Sequence, residues 1–275
     1  MTTLFQLTLD LARLISDVFE STATASHSAT SMTDSANTED TSYWVGGTIW
    51  WLTGLNIGKT AIPTVFAATV FTYLTTTTLC EAGDAYACCI DEYPRRILRQ
   101  KINQALRKIG SPELQDASLV TVANQEEYDI PTVVAPGEIE KIFRVEIAAS
   151  LTSPYKYEPV TNWRVIGAHL HFIGEDIPGI AGYKIRLTYK PKFVELTTDA
   201  GVVSDLISYD RILWKAAVLA LQWNFKRGGS TDQDLARLLL EALGMEKDMD
   251  NLHPYPTYER EGRLGGEEES PPEYW

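Results

Sequence analysis

The sequence predicts an α+β fold: a helical bundle with an antiparallel β-sheet, a small all-β barrel or sandwich inserted between the first two helices, and an extended C-terminal arm. Three observations lead to this prediction. Residues 91–109 have the apolar spacing of an amphipathic helix. Residues 21–90 contain short β-prone runs separated by turn residues. From Asn251 onward the chain has no hydrophobic periodicity.

The same patterns predict the domain organisation. The chain has 275 residues, which is enough for one large or two small hydrophobic cores. We expect residues 1–20 and 91–250 to form the main core, including a sheet at 115–195. Residues 21–90 would be an inserted barrel-like domain, and residues 251–275 would be the arm.

Composition and charge argue against several classes of protein. Hydrophobic residues make up 44% of the chain and charged residues 22%, which is typical of a globular protein. The formal net charge of −13 argues against a protein that wraps nucleic acid, because phosphate binding depends on Lys and Arg. We see neither a signal peptide nor an apolar run of membrane-spanning length, so we expect cytoplasmic synthesis and no membrane partner. Three cysteines, two of them adjacent, indicate neither a disulfide framework nor a zinc site.

The first 90 residues are predicted to pass from a helix to a β region. A helix is expected over 3–20, with an apolar stripe formed by Leu4, Leu7, Leu11, Leu14, Ile15 and Val18. Strands are then expected over 48–53, 60–65, 68–75 and 85–90. Short strands at this spacing are typical of a small barrel or sandwich.

A long basic helix is predicted over 94–109. Pro94 suits its first turn, and Gly110 ends it. Its apolar stripe consists of Ile97, Leu98, Ile102, Ala105, Leu106 and Ile109. The opposite face is expected to carry a quarter of the 24 basic residues of the chain: Arg95, Arg96, Arg99, Lys101, Arg107 and Lys108. This face is either a solvated helix surface or a surface that contacts an acidic neighbour in an assembly.

A second β region and two more helices follow. Strands are expected over 119–123, 142–148, 164–172 and 183–189, in a single sheet with one wet face. Helical spacing of apolar residues predicts helices over 203–227 and 232–249, with a capping stretch at 230–232.

The C-terminal arm is charged but also carries several aromatic residues. Its prolines favour an extended backbone. Its candidate interface residues are His253, Pro254, Tyr255, Pro256, Tyr258, Tyr274 and Trp275. The arm either orders against a partner through these residues or remains a flexible end.

Two polar motifs invite a chemical interpretation. The stretch from Gly54 to Thr60 resembles a phosphate-binding loop, but it has three residues rather than four between its glycines, and Pro63 argues against a following helix. A tight strand-to-strand turn explains it better. His169 and His171 share one face of a predicted strand and could hold a metal with Glu175 or Asp176, or they are ordinary surface histidines.

Aromatic residues offer one further possibility. Trp44, Trp50 and Trp51 could line a carbohydrate site or form the core of a small barrel. The sequence has no recognisable nucleophile motif, paired carboxylates or cofactor motif, so it favours a structural protein over an enzyme.

Several segments resemble the head-to-tail connector (adaptor) proteins of tailed bacteriophages. Residues 93–107, with their Lys101-Ile102-Asn103 core, are similar to a helix of those proteins. The other similar segments are 119–128, 195–200 and 214–217, together with 44–59 and 82–86, which resemble a β module of phage structural proteins. The smaller connectors lack so large a β insertion.

The resemblance implies a structural protein of the virion neck that has no cofactor and no catalytic activity. Such connectors form a ring, twelvefold in the family, beneath the portal protein; the ring extends the DNA channel, docks tail proteins and so serves tail assembly and genome ejection. The arm would reach the portal, and the basic helix would pair with a neighbouring subunit. An acidic wall suits a channel through which DNA passes without specific binding. The alternatives are another neck or tail component, such as a stopper or tail terminator, and a carbohydrate- or receptor-binding module on the Trp-rich insertion.

Overall fold

A computed structural model of the chain describes residues 2–74, 78–134, 139–228 and 233–253. Within these ranges the chain forms four α-helices: α1 (Leu4–Ile15), α2 (Arg95–Ile109), α3 (Tyr209–Gly228) and α4 (Gln233–Leu252). The strands of the first half are β1 (Thr2–Thr3), β2 (Phe19–Thr22), β3 (Ala25–Ser28), β4 (Ser31–Thr33), β5 (Thr48–Trp51), β6 (Thr60–Ala61), β7 (Pro63–Ala67), β8 (Val70–Tyr73) and β9 (Ala85–Cys89). Those of the second half are β10 (Leu114–Val120), β11 (Glu127–Asp129), β12 (Ile139–Ala148), β13 (Tyr157–Pro159), β14 (Trp163–Ile166), β15 (His169–Phe172), β16 (Lys184–Pro191) and β17 (Val202–Val203).

These helices and antiparallel sheets confirm the α+β class, and they divide between two compact units. The first unit runs to Gly110 and resumes at Phe193, so it contains the four helices with β1–β9 and β17. The second unit runs from Ser111 to Lys192 and contains β10–β16. The predicted boundaries of the 21–90 insertion and of the arm stay predictions.

The two central strands of one sheet of the first unit, β9 and β5, are buried on both faces. The strand order of this sheet is β2-β9-β5-β6. Trp50 and Cys89 belong to the hydrophobic cluster of the helices, whereas Trp51, Tyr86 and Cys88 belong to a cluster shared with the sheet β3-β4-β8-β7. Successive side chains of a strand point to opposite faces, so a strand buried on both sides needs apolar residues at every position. This explains the apolar runs at 49–51 in β5 and at 85–89 in β9.

The two sheets contribute to one aromatic core. Met32, Phe66 and Phe71 of the second sheet are fully buried in that core. The predicted strand over 68–75 begins only at Val70. Ala68 and Thr69 have φ angles of +47° and +68° and form the two-residue turn between β7 and β8. Turns of this kind favour Gly, Asn or Asp, so an Ala-Thr pair does not predict one.

The helices pack on the other face of the sheet β2-β9-β5-β6. α1, α2 and α3 contact one another, and α4 contacts α3. α1 ends at Ile15 rather than at residue 20, because Ser16 is extended and both its N–H and its hydroxyl donate to Ala12 O, at 2.9 and 3.0 Å. The following residues pair with β9 as strand β2. None of the described helices is long and apolar enough to cross a bilayer.

A buried hydrogen bond joins the sheet to α1. Trp50 Nε1 donates to Thr8 Oγ1 at 3.1 Å, and the Thr8 hydroxyl donates to Phe5 O at 2.9 Å. Both side chains are buried. The threonine therefore satisfies the indole N–H in a place that water does not reach.

The second unit has two sheets where the sequence predicted one. Their strand orders are β10-β16-β12-β13 and β11-β15-β14, and both contribute to one hydrophobic cluster that includes Val145, Leu170 and Leu187. The predicted strand over 164–172 is a hairpin, because Gly167 adopts φ +59° and reverses the chain between β14 and β15. The strand predicted over 119–123 lies earlier, as β10, where it pairs with β16.

The C-terminal helices also differ from their predicted limits. α3 begins at Tyr209 rather than 203, because Val202–Val203 pair with Thr2–Thr3 as a short antiparallel bridge of strands. α4 continues to Leu252, so the prediction of an extended backbone from Asn251 is wrong for two residues. The predicted capping stretch at 230–232 lies outside the described residues.

We expect Thr8→Val to destabilise the protein by about 1–3 kcal/mol, because the Trp50 indole N–H would remain buried without an acceptor. Chemical denaturation followed by tryptophan fluorescence measures the change. Thr8→Ser keeps the hydroxyl and should therefore destabilise the protein clearly less than Thr8→Val. Equal stability of Thr8→Val and the wild type would show that the hydrogen bond contributes nothing.

Candidate functional site

The basic helix α2 begins with a hydrogen bond from another element. Its N-cap residue, Pro94, offers no side-chain acceptor, but the Arg95 N–H donates to Thr48 Oγ1 of β5 at 3.1 Å. Thr48 is fully buried. At the other end, Gly110 N–H donates to Leu106 O at 2.8 Å, so the predicted helix 94–109 is confirmed with its predicted stop.

One ridge of α2 binds the segment 193–199 along its length. The ridge consists of Arg95, Arg99, Asn103 and Arg107, which are four residues apart and therefore lie in a row. Their partners occur in the reverse chain order, so the segment runs antiparallel to the helix. The contacts are the Arg107 guanidinium over the Phe193 ring at 5.4 Å, Asn103 with the Leu196 backbone, Arg99 Nη1 donating to Thr197 O at 3.1 Å, and Arg95 with the Asp199 carboxylate.

Asn103 holds the middle of this segment. Its Nδ2 donates to Leu196 O at 3.0 Å, and Leu196 N–H donates to Asn103 Oδ1 at 2.9 Å. The asparagine is buried, and its amide supplies one donor and one acceptor in a fixed plane. It therefore satisfies both backbone groups of Leu196, as a neighbouring strand would.

Asp199 ties this segment to two other elements. Besides pairing with Arg95, its carboxylate accepts a hydrogen bond from Thr60 Oγ1 of β6 at 2.9 Å. Its backbone oxygen accepts from Phe5 N–H at the start of α1, at 3.0 Å. Thus α1, α2 and β6 meet at one acidic residue.

The predicted basic face is only partly a free surface. Arg95, Arg99 and Arg107 contact residues 193–199, although Arg107 remains exposed, as do Arg96 and Lys108. Their predicted contact with a neighbouring subunit stays a prediction.

Lys101 does not lie on the face opposite the apolar stripe. It is only 9% exposed, and its Nζ donates to Gln104 Oε1 at 3.3 Å. Lys101 follows Ile97 by four residues and precedes Ala105 by four, so a helical projection already places it within the stripe. Burial, and then the nearby charges of Lys226 and Lys108, lower the pKa of Lys101.

Only the first of the predicted portal-binding residues belongs to the described chain. His253 follows α4, and its backbone oxygen accepts from Arg211 Nη1 at 2.9 Å. Pro254, Tyr255, Pro256, Tyr258, Tyr274 and Trp275 lie outside the described residues.

Ion pairs fasten the end of α4 to α3. Arg211 Nε lies 2.8 Å from Asp250 Oδ1, and Lys215 Nζ lies 2.8 Å from Glu246 Oε1 and 3.3 Å from Asp250 Oδ2. Partial burial raises the pKa of Asp250, but Lys215 and Arg211 together outweigh it and lower that pKa. The base of the arm is therefore a fixed point on the helices.

The glycine-containing loop, the tryptophans and the cysteines all have places within the fold. The 52–59 loop joins antiparallel β5 and β6, as the turn interpretation predicted, and Lys59 Nζ donates to Asn56 Oδ1 and Thr78 Oγ1 at 3.2 and 3.3 Å. Trp44, Trp50 and Trp51 are buried: Trp44 and Trp51 lie in the core that the two sheets share, whereas Trp50 belongs to the core of the helices. Cys80, Cys88 and Cys89 are buried thiols, and burial raises the pKa of Cys80 and Cys89 to about 12.

His169 has two carboxylates and His171 nearby. His169 Nδ1 lies 2.9 Å from Asp129 Oδ1 and 3.2 Å from Glu127 Oε1, and its ring centre is 6.4 Å from that of His171. Asp176 instead accepts from Asn162 N–H at 2.7 Å. Across the part of the chain that the structure describes, no group of three or more His, Cys, Asp or Glu is arranged to hold a metal ion.

The sequence predicted no role for Thr48, which caps α2, or for Asp199, which pairs with Arg95. The resemblance drew attention to Lys101-Ile102-Asn103 and to residues 195–200 separately, and the structure joins the two stretches. No signal in the sequence pairs them, because they are more than 90 residues apart.

Comparison with known proteins bears on the same region. A sequence model of the family described as SU10 adaptor protein matches residues 68–257, more than half of the chain. The match includes α2, the 193–199 segment and the two C-terminal helices. No curated protein matches the chain.

We expect Asn103→Ala to destabilise the protein by about 1–3 kcal/mol, because both backbone groups of Leu196 would lose their partners. Chemical denaturation measures the loss. Gln100→Ala, one turn earlier on the exposed face, is the matched control and should change stability by less than about 0.5 kcal/mol. Equal effects of the two variants would contradict a role for the 193–199 segment.

Acid should loosen the end of α4. Because the folded-state pKa of Asp250 lies below its ordinary value of 3.8, its contribution is complete well above 3.8 and is lost as the pH falls through the lower, folded value. Hydrogen exchange of residues 246–252, corrected for intrinsic rates, should show protection falling in that range. In Lys215→Met the protection should already be reduced at neutral pH. An acid response that is identical in the variant would rule out the ion pairs as its cause.

Proposed function

The chain belongs to the SU10 adaptor protein family, and from that premise we propose that it is the head-to-tail connector of a tailed bacteriophage. A member of this family is a phage structural protein of the virion, and the family is not an enzyme class. The observation that carries the proposal is the family match over residues 68–257, which contains the helix and the 193–199 segment described above.

We propose that copies of the chain close into a ring of twelve beneath the portal. A ring of this kind needs two different, complementary faces on each subunit. Arg96, Arg107 and Lys108 are exposed on α2 and are candidates for one of them, with an acidic surface of the next subunit opposite. Arg95 and Arg99 contribute indirectly, because they hold the 193–199 segment within the subunit.

We propose that the inner surface of the ring continues the DNA channel. The net charge of −13 supports this role, because a ring multiplies the charge and repels the phosphates of the passing DNA. A channel that must release the genome gains from such a surface. Tail proteins would dock on the side of the ring away from the portal.

We propose that the C-terminal arm contacts the portal protein. Its origin is fixed by Arg211 and Lys215, and aromatic residues with proline-restricted backbone lose little conformational entropy on docking. The anchor residues would be Tyr255, Tyr258, Tyr274 and Trp275, with His253, Pro254 and Pro256 at the base.

Mixing the purified protein with the portal protein of the same virus tests the connector proposal. We expect native mass spectrometry to show twelve copies bound to one portal, and negative-stain microscopy to show a twelvefold ring stacked on it. A protein that remains monomeric and ignores the portal would refute the proposal, and binding to tail components alone would favour a stopper or terminator.

A variant of the arm separates the two parts of the proposal. With Tyr255, Tyr258, Tyr274 and Trp275 replaced by serine, ring formation should persist and portal binding should weaken at least tenfold. A matched variant with Tyr43→Ser, which removes an exposed tyrosine elsewhere, should bind normally. Full portal binding by the arm variant would refute the arm contact and leave the ring proposal standing.

A further inference from the structure

The loop between β5 and β6 projects large aliphatic side chains into solvent. Leu55 and Ile57 of this loop are 62% and 63% exposed, and Leu79 is 41% exposed. These three residues are called the apolar knob below. A single exposed leucine is common on a protein surface, whereas a group of large aliphatic side chains marks an interaction site.

Buried contacts hold the apolar knob in this position. Asn56, which lies between Leu55 and Ile57, is fully buried, and its Nδ2 donates to Thr78 O at 2.9 Å. This hydrogen bond places Leu79 beside the loop. The loop therefore cannot turn its two aliphatic side chains inward without losing the buried hydrogen bond of Asn56.

A glycine fixes the start of the same loop. Gly54 has a φ angle of +77°, and a Cβ at this position would lie 2.0 Å from an Asp84 carboxylate oxygen. The Ile57 N–H donates to Gly54 O at 3.2 Å. Because the backbone is held at these points, the knob is presented in one conformation, which reduces the entropic cost of binding.

The chain that follows the knob lacks charge. Residues 60–80 contain no Asp, Glu, Lys or Arg, although these residues make up 22% of the chain. Ile62 and Leu74 in this stretch are 41% and 67% exposed, and they lie next to each other because Pro63 pairs with Tyr73. The cores of protein interfaces are depleted of charged residues in the same way.

A receiving surface lies at the start of α3 in the same unit. It is a cavity of about 190 Å³. The apolar residues of its lining are Val203, Ile207, Tyr209 and Ile212, and exposed Val202 and Leu206 border an adjoining hollow. An engineered apolar cavity of about 150 Å³ holds a benzene molecule, so this cavity has room for one aliphatic side chain.

We infer that the apolar knob of one copy inserts into the α3 cavity of the next copy. The chain carries both the projecting and the receiving surface, and they are different surfaces, as the heterologous contact of a ring requires. Lys59 follows Ile57 by two residues and Asp205 lines the cavity, so insertion brings opposite charges together. The inference rests on the proposed ring, and it adds an apolar contact to the charged contacts proposed there.

Cross-linking between two single-site variants of the full chain tests the inference. Ile57→Cys and Ser208→Cys are made separately, and Ser208 lines the cavity. The three native cysteines are buried, so each variant has one accessible thiol among the residues that the structure describes. A short bismaleimide can then join positions 57 and 208 only across two copies. We expect mass spectrometry of the mixed assembly to show the 57–208 link, and neither variant alone to give a 57–57 or 208–208 link.

Val65→Cys is the matched control, because Val65 is 50% exposed on β7, away from the knob. Mixed with Ser208→Cys, it should give no link. A ring that forms without the 57–208 link would overturn the inference and leave the ring proposal standing. Absence of any oligomer, with or without the portal protein, would refute the ring proposal itself. A link from position 57 to the portal or to a tail protein would identify another occupant and would equally overturn the inference.

A charged substitution in the knob supplies an independent readout. Ile57→Asp should raise the protein concentration at half-assembly at least tenfold by mass photometry, because the carboxylate would enter an apolar cavity. Leu240→Asp, at a position 70% exposed on α4, is the matched control and should assemble as the wild type does. Both variants should keep the melting temperature of the wild-type monomer, since both positions are exposed. Equal assembly of Ile57→Asp and the wild type would refute insertion of the knob.

Discussion

The rest of the first unit depends on burying both faces of the central strands β9 and β5 in the sheet β2-β9-β5-β6. One face packs against the helices and the other against the second sheet. Consecutive residues of β5 therefore belong to different cores: Trp50 packs with the helices and Trp51 with the second sheet. Such a sheet is stable only while both layers are present, because removing either layer would expose large aromatic side chains to water. The helices and the β-region between α1 and α2 thus share one sheet.

The same sheet positions the basic helix. Thr48, the first residue of β5, accepts the hydrogen bond that caps α2, and Trp50 donates to Thr8 of α1. Both contacts are buried and polar, so each requires its partner at a defined distance. The sheet thus fixes the start of α2, and α2 in turn holds the 193–199 segment through Asn103 and Arg95. That segment continues into β17 and α3.

This arrangement suits a structural part of a virion. Arg95, Arg99 and Arg107 of α2 contact the 193–199 segment inside the subunit, and Arg96 and Lys108 remain exposed. Arg211 and Lys215 fix the last turn of α4, from which the arm departs. In the proposed assembly, a subunit with fixed internal contacts would meet its neighbours without reorganising, which would lower the entropic cost.

By itself, the sequence determined the features that depend on local pattern. These are the α+β class, the limits of α2 from its 3.6-residue period and Gly110, the strand character of residues 48–51 and 85–89, and the buried tryptophans. The helical spacing of α2 also places Lys101 among the apolar residues, in agreement with its burial. Tertiary structure alone decided where α1 ends, that 164–172 is a hairpin and that Thr48 caps α2. It also decided that Asn103 binds Leu196, since these contacts join residues that are far apart in the chain and leave no periodic trace in it.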